Sequence, residues 1–202
     1  MSELERSPSG RKLQLRARAI RQSKTRESIT QAAVELHEQL GPLHTSITAI
    51  AARAGVERLT VYRHFPDEAS LHQACQQHFF AAHPLPNLSA WRDISSLSKR
   101  LEIGLTDLYE YWGQTHDMFA SVLRDYEVDP ERSGAGIVTF MAEACNALLD
   151  GQMLSGHRGR MLRATVGHAV HFYTWRSLVQ DQGLSNTEAT NLMRQIITRV
   201  TE

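Results

Sequence analysis

The 202-residue sequence predicts an all-α fold, in which a small N-terminal helical module precedes a larger helical bundle. Apolar residues recur at steps of three and four over most of the chain, which is the spacing of one face of a helix. Glycine, proline and capping residues interrupt this spacing repeatedly, and no segment shows the alternation expected of strands. The composition agrees, since 42% hydrophobic and 22% charged residues are typical of a globular protein.

The start of the chain is strongly basic, although the whole sequence has a formal net charge of zero. Residues 1–26 hold eight lysines and arginines against two glutamates. We predict that residues 1–22 form a basic, disordered arm that merges into the first helix. A solvated tail without a partner is the alternative. Since screening limits electrostatic attraction to about 8 Å at physiological salt, this local charge matters more to a partner than the neutral total.

Four helices are predicted in the segment that follows, and each has a recognisable end. Gly41 is suited to end the first, Gly55 the second, and Pro66 the third. Thr45 and Ser46 are candidate caps at the start of the second helix. The apolar residues of the four predicted helices fall in 29–40, 47–54, 59–65 and 71–79.

His83-Pro84-Leu85-Pro86-Asn87 is the clearest break in the helical pattern, and we place a domain boundary there. The two predicted domains are residues 23–82 and residues 83–202. Several elements are expected in the second domain. They are a helix over 94–112, a shorter element over 119–123, a helix opened by Asp129-Pro130, a loop over 151–159, a long helix ending at Gly183, and a last helix opened by the capping box Ser185-Asn186-Thr187-Glu188.

Residues 46–65 have the composition of a helix-turn-helix. Ala51 is small enough for the second helix to cross the first closely, and Gly55 can adopt the positive φ of a tight turn. Ile50, Val56 and Val61 are suited to fill the space between the two helices. The second helix would then present polar side chains outward, and such a helix fits the major groove of DNA.

The surrounding pattern resembles the TetR family of transcriptional regulators. The resemblance covers about 50 contiguous residues and rests on Arg26-x-x-Ile29-x-x-Ala32-Ala33, Gly41, Thr45, Ile50-Ala51, Ala54-Gly55-Val56, and Thr60-Val61-Tyr62-Arg63-His64-Phe65-Pro66 followed by Leu71. A looser similarity extends over 174–189. The resemblance implies a three-helix, helix-turn-helix DNA-binding domain, joined to a helical-bundle domain for ligand binding and dimerisation.

The resemblance also implies roles for individual residues. Arg58 and Thr60 are expected at base edges, and Thr45 and Ser46 at a backbone phosphate. Tyr62 and His64 resemble phosphate-contacting residues of the family. The expected DNA-binding set is Arg18, Arg21, Lys24, Arg26, Thr45, Ser46, Arg58, Leu59, Thr60, Tyr62, Arg63 and His64.

One position departs from the family pattern. The family usually has a lysine two residues after Phe-Pro, whereas this chain has Glu68, preceded by Asp67. Carboxylates suit a helix N-terminus but repel phosphate. We therefore expect weaker anchoring of DNA by this helix, with compensation from the basic arm.

In the second domain, the resemblance implies a small-molecule effector and a homodimer. The expected effector is mainly apolar, because the candidate lining residues are aromatic or soft: Trp112, Phe119, Phe140, Met141, His168 and Phe172. The expected dimer interface is a four-helix bundle from the last two long helices, with contacts at Val166, Val170, Tyr173, Leu192 and Ile196. The resulting hypothesis is a repressor that releases a palindromic, double-stranded operator when the effector binds.

Three alternatives remain open at this point. They are a transcriptional activator of the same family, a helical interaction protein, and a metal-binding protein that uses His168 and His171. We expect no enzymatic activity, no catalytic or metal site and no cofactor, because nucleophile-elbow, phosphate-loop and dinucleotide-binding motifs are missing from the sequence. No segment predicts a secretory signal or a membrane span, and Cys75 and Cys145 are expected as buried free thiols. A cytoplasmic location without membrane association follows as an expectation.

Overall fold

The computed structural model describes residues 8–201, and their side chains from Arg11 to Val200. These residues contain ten α-helices and no strand, which confirms the all-α prediction. The α-helices are α1 (Pro8–Leu40), α2 (Ile47–Ala54), α3 (Arg58–His64), α4 (Glu68–Ala82), α5 (Leu88–Arg92), α6 (Leu97–Val128), α7 (Ala135–Leu148), α8 (Gly156–Val170), α9 (Phe172–Arg176) and α10 (Asn186–Thr201). Within this part of the chain, no helix is both long and apolar enough to cross a lipid bilayer.

The chain divides into two compact units, of which the first ends at Ala82 and the second begins at His83. In the first unit α1 packs against α2 and α4, and α2 packs against α3. The core of this unit is apolar and is drawn from all four helices: Ile29, Ala32, Ala33, Leu36, Ile50, Ala51, Val61, Phe65, Leu71, Cys75 and Phe79. Burial raises the pKa of the Cys75 thiol to about 12, so this thiol stays protonated and contributes only packing.

The ends of the short helices agree with the sequence predictions. The Ser46 hydroxyl accepts a hydrogen bond from the Ala49 backbone N–H at 3.1 Å and caps α2. Gly55 ends α2 in the left-handed conformation, with φ of 67°. A side chain with a Cβ would be strained there, which explains the glycine.

The beginning of α1 corrects one prediction. The disordered arm expected over residues 1–22 is helical from Pro8 onward, and only residues 1–7 of it lie outside the described part. The side chains from Arg11 to Lys24 are all exposed, so this part of α1 makes no packing contact with the core. Alanine, leucine and arginine favour a helix locally, and this propensity outweighs the high charge.

In the second unit, α6 lies among α5, α7, α8, α9 and α10. It is 32 residues long and continuous, where the sequence predicted two separate elements. The predicted helix ended at Trp112, and the shorter element began at Phe119. Thr115 and Met118 are nevertheless buried in this stretch, so tertiary packing keeps the helix intact.

The starts of α7 and α8 differ from prediction. Asp129-Pro130 does not open α7, which begins at Ala135 after Gly134 in the left-handed conformation. A Cβ on Gly134 would lie 2.6 Å from the Cβ of Tyr126, so the chain turns there at a position that only glycine fits. Helix α8 begins at Gly156, inside the segment predicted as a loop.

The predicted long helix ending at Gly183 is broken. Helix α8 ends at Val170, His171 is extended with ψ of 136°, and α9 begins at Phe172. A π-helical turn, Ser177–Asp181, follows α9. The capping box that opens α10 is confirmed, because the Glu188 carboxylate accepts from the Ser185 N–H at 2.9 Å and the Ser185 hydroxyl accepts from the Glu188 N–H at 3.2 Å.

Two polar interactions hold the first half of the second unit together. The buried Arg100 guanidinium donates to the carbonyls of Ile94, Leu148 and Asp150, and so ties α6 to the end of α7. The indole N–H of Trp91 donates to Asp107 at 2.8 Å. Burying a charged or polar group requires such partners, and each of these groups has them.

Replacing each of two glycines in α6 by alanine should change the free energy of unfolding in opposite directions. A Cβ on Gly104 would lie 2.5 Å from the Cδ2 of Leu148 and 3.1 Å from the Trp91 ring, so Gly104→Ala should lower the free energy of unfolding by about 1–3 kcal/mol. Gly113 has space, with its nearest neighbours at 3.6 and 3.8 Å, so Gly113→Ala should raise it by about 0.5–1 kcal/mol. Urea unfolding measures both. Changes of the same sign would contradict the close packing at Gly104.

Candidate functional site

The helix-turn-helix predicted from residues 46–65 is present as α2, a turn at Gly55, and α3. The Val56 backbone N–H donates to the carbonyl of Ala51 at 3.0 Å, which fixes the angle of the turn. Ile50, Ala51 and Val61 are buried between the helices. The apolar side of each helix therefore packs in the core, and the opposite side of α3 faces solvent.

The solvent-facing side of α3 carries an unusual mixture of side chains. Leu59 is 80% exposed and Tyr62 is 40% exposed, so neither contributes much to the core. The Arg58 guanidinium donates to the Tyr62 hydroxyl at 3.0 Å and lies 5.5 Å from the centre of its ring. The Arg63 guanidinium donates to the Thr60 hydroxyl at 3.0 Å. Both guanidiniums are therefore held in place by neutral hydroxyls, which orient them and leave their charge uncompensated.

A groove of about 480 Å³ lies between α1 and α3 in the first unit. The residues that line it are polar or basic: Arg18, Arg21, Gln22, Thr25, Thr60, Arg63 and His64. None of the described residues that line it carries a carboxylate. Three guanidiniums that face one concave surface can bind closely spaced anionic oxygens. We call this surface the α1–α3 groove.

Two predicted site residues also have structural partners. The Arg26 guanidinium donates to the His64 backbone carbonyl at 2.5 Å and lies 4.0 Å from the centre of the Phe65 ring. Arg26 therefore fastens α1 to the end of α3. Burial, and then the charges of Arg63 and Arg26, lower the pKa of His64, so its imidazole is neutral at physiological pH.

Thr45 and Ser46 lie at the beginning of α2, as predicted. The Thr45 hydroxyl donates to the Gly41 carbonyl at 2.8 Å, while the Ser46 hydroxyl caps α2. Lys24 is exposed on α1.

The Asp67 carboxylate accepts from the Ser70 N–H at 2.7 Å, and this hydrogen bond lowers its pKa. Glu68 lies in the first turn of α4. These two carboxylates suit the helix that they begin.

In the second unit, five of the six residues predicted to line an effector site are buried: Trp112, Phe119, Phe140, Met141 and Phe172. The rings of Phe119, Phe140 and Phe172 lie 5.3, 6.4 and 5.6 Å from the Trp112 ring, and all three are close to perpendicular to it. His168 does not join them. It is exposed on α8, and its own backbone carbonyl accepts from the Thr174 hydroxyl at 2.6 Å.

The residues predicted at a dimer interface fall into two groups. Val166 and Val170 are buried in their own unit, with 0% and 2% exposure, so another chain cannot reach them. Leu192 and Ile196 are exposed on α10, at 38% and 42%. They border an open groove of about 780 Å³ with Tyr173, His168 and other residues of α8 and α9. The assignment failed for the valines because α8 has apolar residues on more than one side, and the sequence does not say which side faces inward.

Gln22 and Thr25 are groove residues that the sequence analysis missed. Arg18, Gln22 and Thr25 follow helical spacing and thus share one face of α1. This signal was present but was obscured by the prediction of disorder. No group of three or more histidine, cysteine, aspartate or glutamate side chains in the described chain is placed to hold a metal ion.

Comparisons with known proteins agree with this geometry. Residues 29–75 match the family model of the bacterial regulatory proteins, tetR family. No protein with a curated description matches the sequence significantly. A tetR-family transcriptional regulator from Streptomyces coelicolor has a similar structure, with a TM-score of 0.59 and 18% identity over 88% of this chain and 80% of that one.

Two further structures are similar. A TetR-like transcriptional regulator from Rhodococcus sp. RHA1 has a TM-score of 0.55 and 17% identity, over 87% of this chain and 94% of that one. The transcriptional regulator FadR from Bacillus subtilis, in complex with stearoyl-CoA, has a TM-score of 0.54 and 16% identity, over 85% and 96%. The family match includes α2, the turn and α3 in full. Residues 29–75 therefore match the tetR family of bacterial regulatory proteins over the helix-turn-helix, and the chain as a whole shares the fold of these solved regulators.

Proposed function

We propose that the protein is a homodimeric repressor that binds a palindromic operator through α3 and releases it when a small, mainly apolar molecule binds the second unit. The observation that carries this proposal is the exposed side of α3 beside the α1–α3 groove. Leu59 is 80% exposed and Tyr62 is 40% exposed, and the three guanidiniums that line the neighbouring groove have no carboxylate among its described lining residues. A structural role explains neither feature.

On DNA, α3 enters the major groove. Arg58 and Thr60 read base edges, and the exposed Leu59 packs against apolar groups of the bases, such as the thymine methyl. Tyr62, Arg63 and His64 contact the flanking backbone. A neutral His64 donates or accepts one hydrogen bond there and adds no charge.

The α1–α3 groove holds the phosphates beside the major groove. Arg18 and Arg21 supply charge from α1, and Lys24 adds to it from the same helix. Thr45 and Ser46 offer the beginning of α2 to a further phosphate. Arg26 acts mainly by holding α3 against α1. Because Glu68 and Asp67 cannot bind phosphate favourably, α1 replaces the anchoring that α4 provides in most of the family.

The second unit supplies dimerisation and the response to the effector. Two copies pair through the exposed apolar face of α8 and α10, at Leu192 and Ile196, and the two-fold symmetry of the pair requires a palindromic operator. The apolar ring cluster around Trp112 favours an apolar effector. FadR of Bacillus subtilis holds stearoyl-CoA in a similar fold, which supports an effector with a substantial hydrophobic part.

The phosphate role of α1 predicts a change in salt dependence. The double variant Arg18→Ala/Arg21→Ala should bind DNA more weakly, and the slope of log K against log salt concentration should become shallower by about 4, because the dimer loses two charge contacts from each copy. Fluorescence anisotropy with a labelled duplex at several salt concentrations measures this slope. The control is Arg92→Ala, which removes an exposed arginine from the second unit. An unchanged slope in the double variant would rule out phosphate contacts from α1.

If Arg58 reads base edges, replacing it should weaken binding to the preferred sequence more than binding to other sequences. Duplexes enriched from a random pool by the wild-type protein serve as the operator probe. Arg58→Ala should weaken binding to them by about 1–3 kcal/mol for each half-site, which is about fivefold to more than a hundredfold, while binding to unselected duplexes falls far less. Arg53→Ala is the matched control, since its guanidinium is already bound to Glu35 at 2.9 Å. Failure to enrich any sequence, or an equal loss on both kinds of duplex, would contradict base readout.

If the proposed dimer face is correct, carboxylates introduced on it should dissociate the dimer. Leu192→Asp/Ile196→Asp should convert a dimer to monomers in sedimentation equilibrium, since an unpaired carboxylate is costly in an apolar interface. Met153→Asp provides the control, because Met153 is 87% exposed outside this face. A variant that stays dimeric would place the interface elsewhere. A wild-type protein that is monomeric at micromolar concentration would contradict the proposed dimer.

A further inference from the structure

The second unit contains all three tryptophans of the chain, and all three are almost completely buried. The indole N–H of Trp91 donates to Asp107 at 2.8 Å, and that of Trp175 donates to Asn186 at 2.9 Å. The indole N–H of Trp112 has no hydrogen-bond partner within the described part of the chain. A protein that provides an acceptor for two buried indoles thus leaves the third without one.

The surroundings of Trp112 explain why no acceptor is available. Its neighbours are the rings of Tyr111, Phe119, Phe140 and Phe172, with centres 5.3–6.4 Å away. The Tyr111 hydroxyl is directed away, toward the His83 carbonyl at 3.5 Å. A ring face is a much weaker acceptor than a carbonyl oxygen. An unsatisfied buried N–H costs about 1–3 kcal/mol, and such groups are rare enough in folded proteins to require an explanation.

One wall of this cluster is built on interrupted backbone. Phe172 lies 5.6 Å from Trp112, ring centre to ring centre, and belongs to the five-residue helix α9. The extended residue His171 precedes α9, and the π-helical turn Ser177–Asp181 follows it. A short helix between two interruptions can shift without breaking a long ladder of hydrogen bonds, and π-turns often accompany functional sites. The ring of Phe172 is therefore the wall carried by a short helix with an interruption at each end.

We infer that the Trp112 indole N–H anchors the effector, and that the effector is an uncharged apolar molecule with an acceptor oxygen, such as a ketone, an ester or a protonated acid. The molecule enters between Trp112 and Phe172 and supplies the missing acceptor. None of the described rings around Trp112 carries a formal charge, so an ionised group would be buried there without compensation. This inference rests on the proposed function and specifies the chemistry of its effector.

The test compares two probes that differ at one position, acetophenone and ethylbenzene. The full-length protein is labelled with ¹⁵N at the indole nitrogens, and the three indole signals are assigned from the variants Trp91→Phe, Trp112→Phe and Trp175→Phe. Acetophenone should move the Trp112 signal downfield, saturate at millimolar concentration, and bind about threefold to tenfold more tightly than ethylbenzene, which is the fold-change expected for one net hydrogen bond. The Trp91 and Trp175 signals should move less, because their N–H groups are already bonded.

Several outcomes would overturn the inference. These are equal downfield shifts with both probes, no saturable change at Trp112, or a Trp112 signal that shows contact with a water molecule and ignores acetophenone. The titration contains no DNA. Its failure would therefore leave the proposed DNA binding intact, and a protein that bound no duplex could still pass it.

A second measurement needs no probe. Trp112→Phe and Trp91→Phe remove the same volume from the same unit, but only Trp91→Phe breaks a hydrogen bond, the one that its indole N–H donates to the exposed Asp107. Trp91→Phe should therefore lower the urea midpoint of unfolding clearly more than Trp112→Phe. In addition, Trp112→Phe should bind acetophenone no better than ethylbenzene. Equal losses of stability, or a preserved preference for acetophenone, would show that the Trp112 N–H is not the anchor.

Discussion

The packing of α6 is the constraint on which the second unit depends. A helix of 32 residues that is buried on several sides needs neighbours along its whole length. Each neighbour packs against α6 at a different turn. At Gly104 the absence of a side chain lets Trp91 and Leu148 approach α6 directly. One turn earlier, Arg100 binds the carbonyls at the end of α7. Two turns later, Trp112 gathers the aromatic rings of α6, α7 and α9.

The two units treat their polar groups differently, and this difference matches the roles proposed for them. In the second unit, Arg100 and Trp91 are buried with partners that satisfy them. In the first unit, Arg58 and Arg63 are exposed, and each donates a hydrogen bond to a hydroxyl of its own helix. A hydroxyl restricts the rotamers of an arginine but does not neutralise it. Much of the entropy lost on contact with an anion is thus already lost in the free protein.

Local signals were sufficient where a residue acts only on its own turn of backbone, and insufficient where packing decides. Gly55, Ser46 and the pair Ser185/Glu188 could be predicted because each acts on its own turn of backbone. Asp129-Pro130 has an equally good local signal, yet α7 begins six residues beyond Asp129, because the chain must pass Tyr126 at Gly134. That requirement comes from the tertiary structure.

The candidate site shows the same division. The exposed side of α3 follows from the spacing of its apolar residues. Of the six aromatic or soft residues chosen in the second unit, four rings are in contact and Met141 is buried. His168 could not be placed correctly, since an amphipathic pattern leaves open which of two apolar faces turns inward. Five of the seven residues that line the α1–α3 groove were predicted to bind DNA, but the groove itself could not be predicted, because it depends on the packing of two helices and on the continuation of α1 toward Pro8.

The exposed beginning of α1 has a consequence for how the protein would find its target. From Arg11 to Lys24 the helix makes no core contact, and at 1.5 Å per residue it reaches about 20 Å from the packed part of α1. This reach is more than twice the screening length of about 8 Å in physiological salt. If α1 approaches DNA as proposed, the positive charges near its tip would meet the potential of the duplex before α3 does. The helix would then enlarge the capture radius and keep the protein near the duplex between successive trial positions, which would speed the search separately from its effect on final affinity.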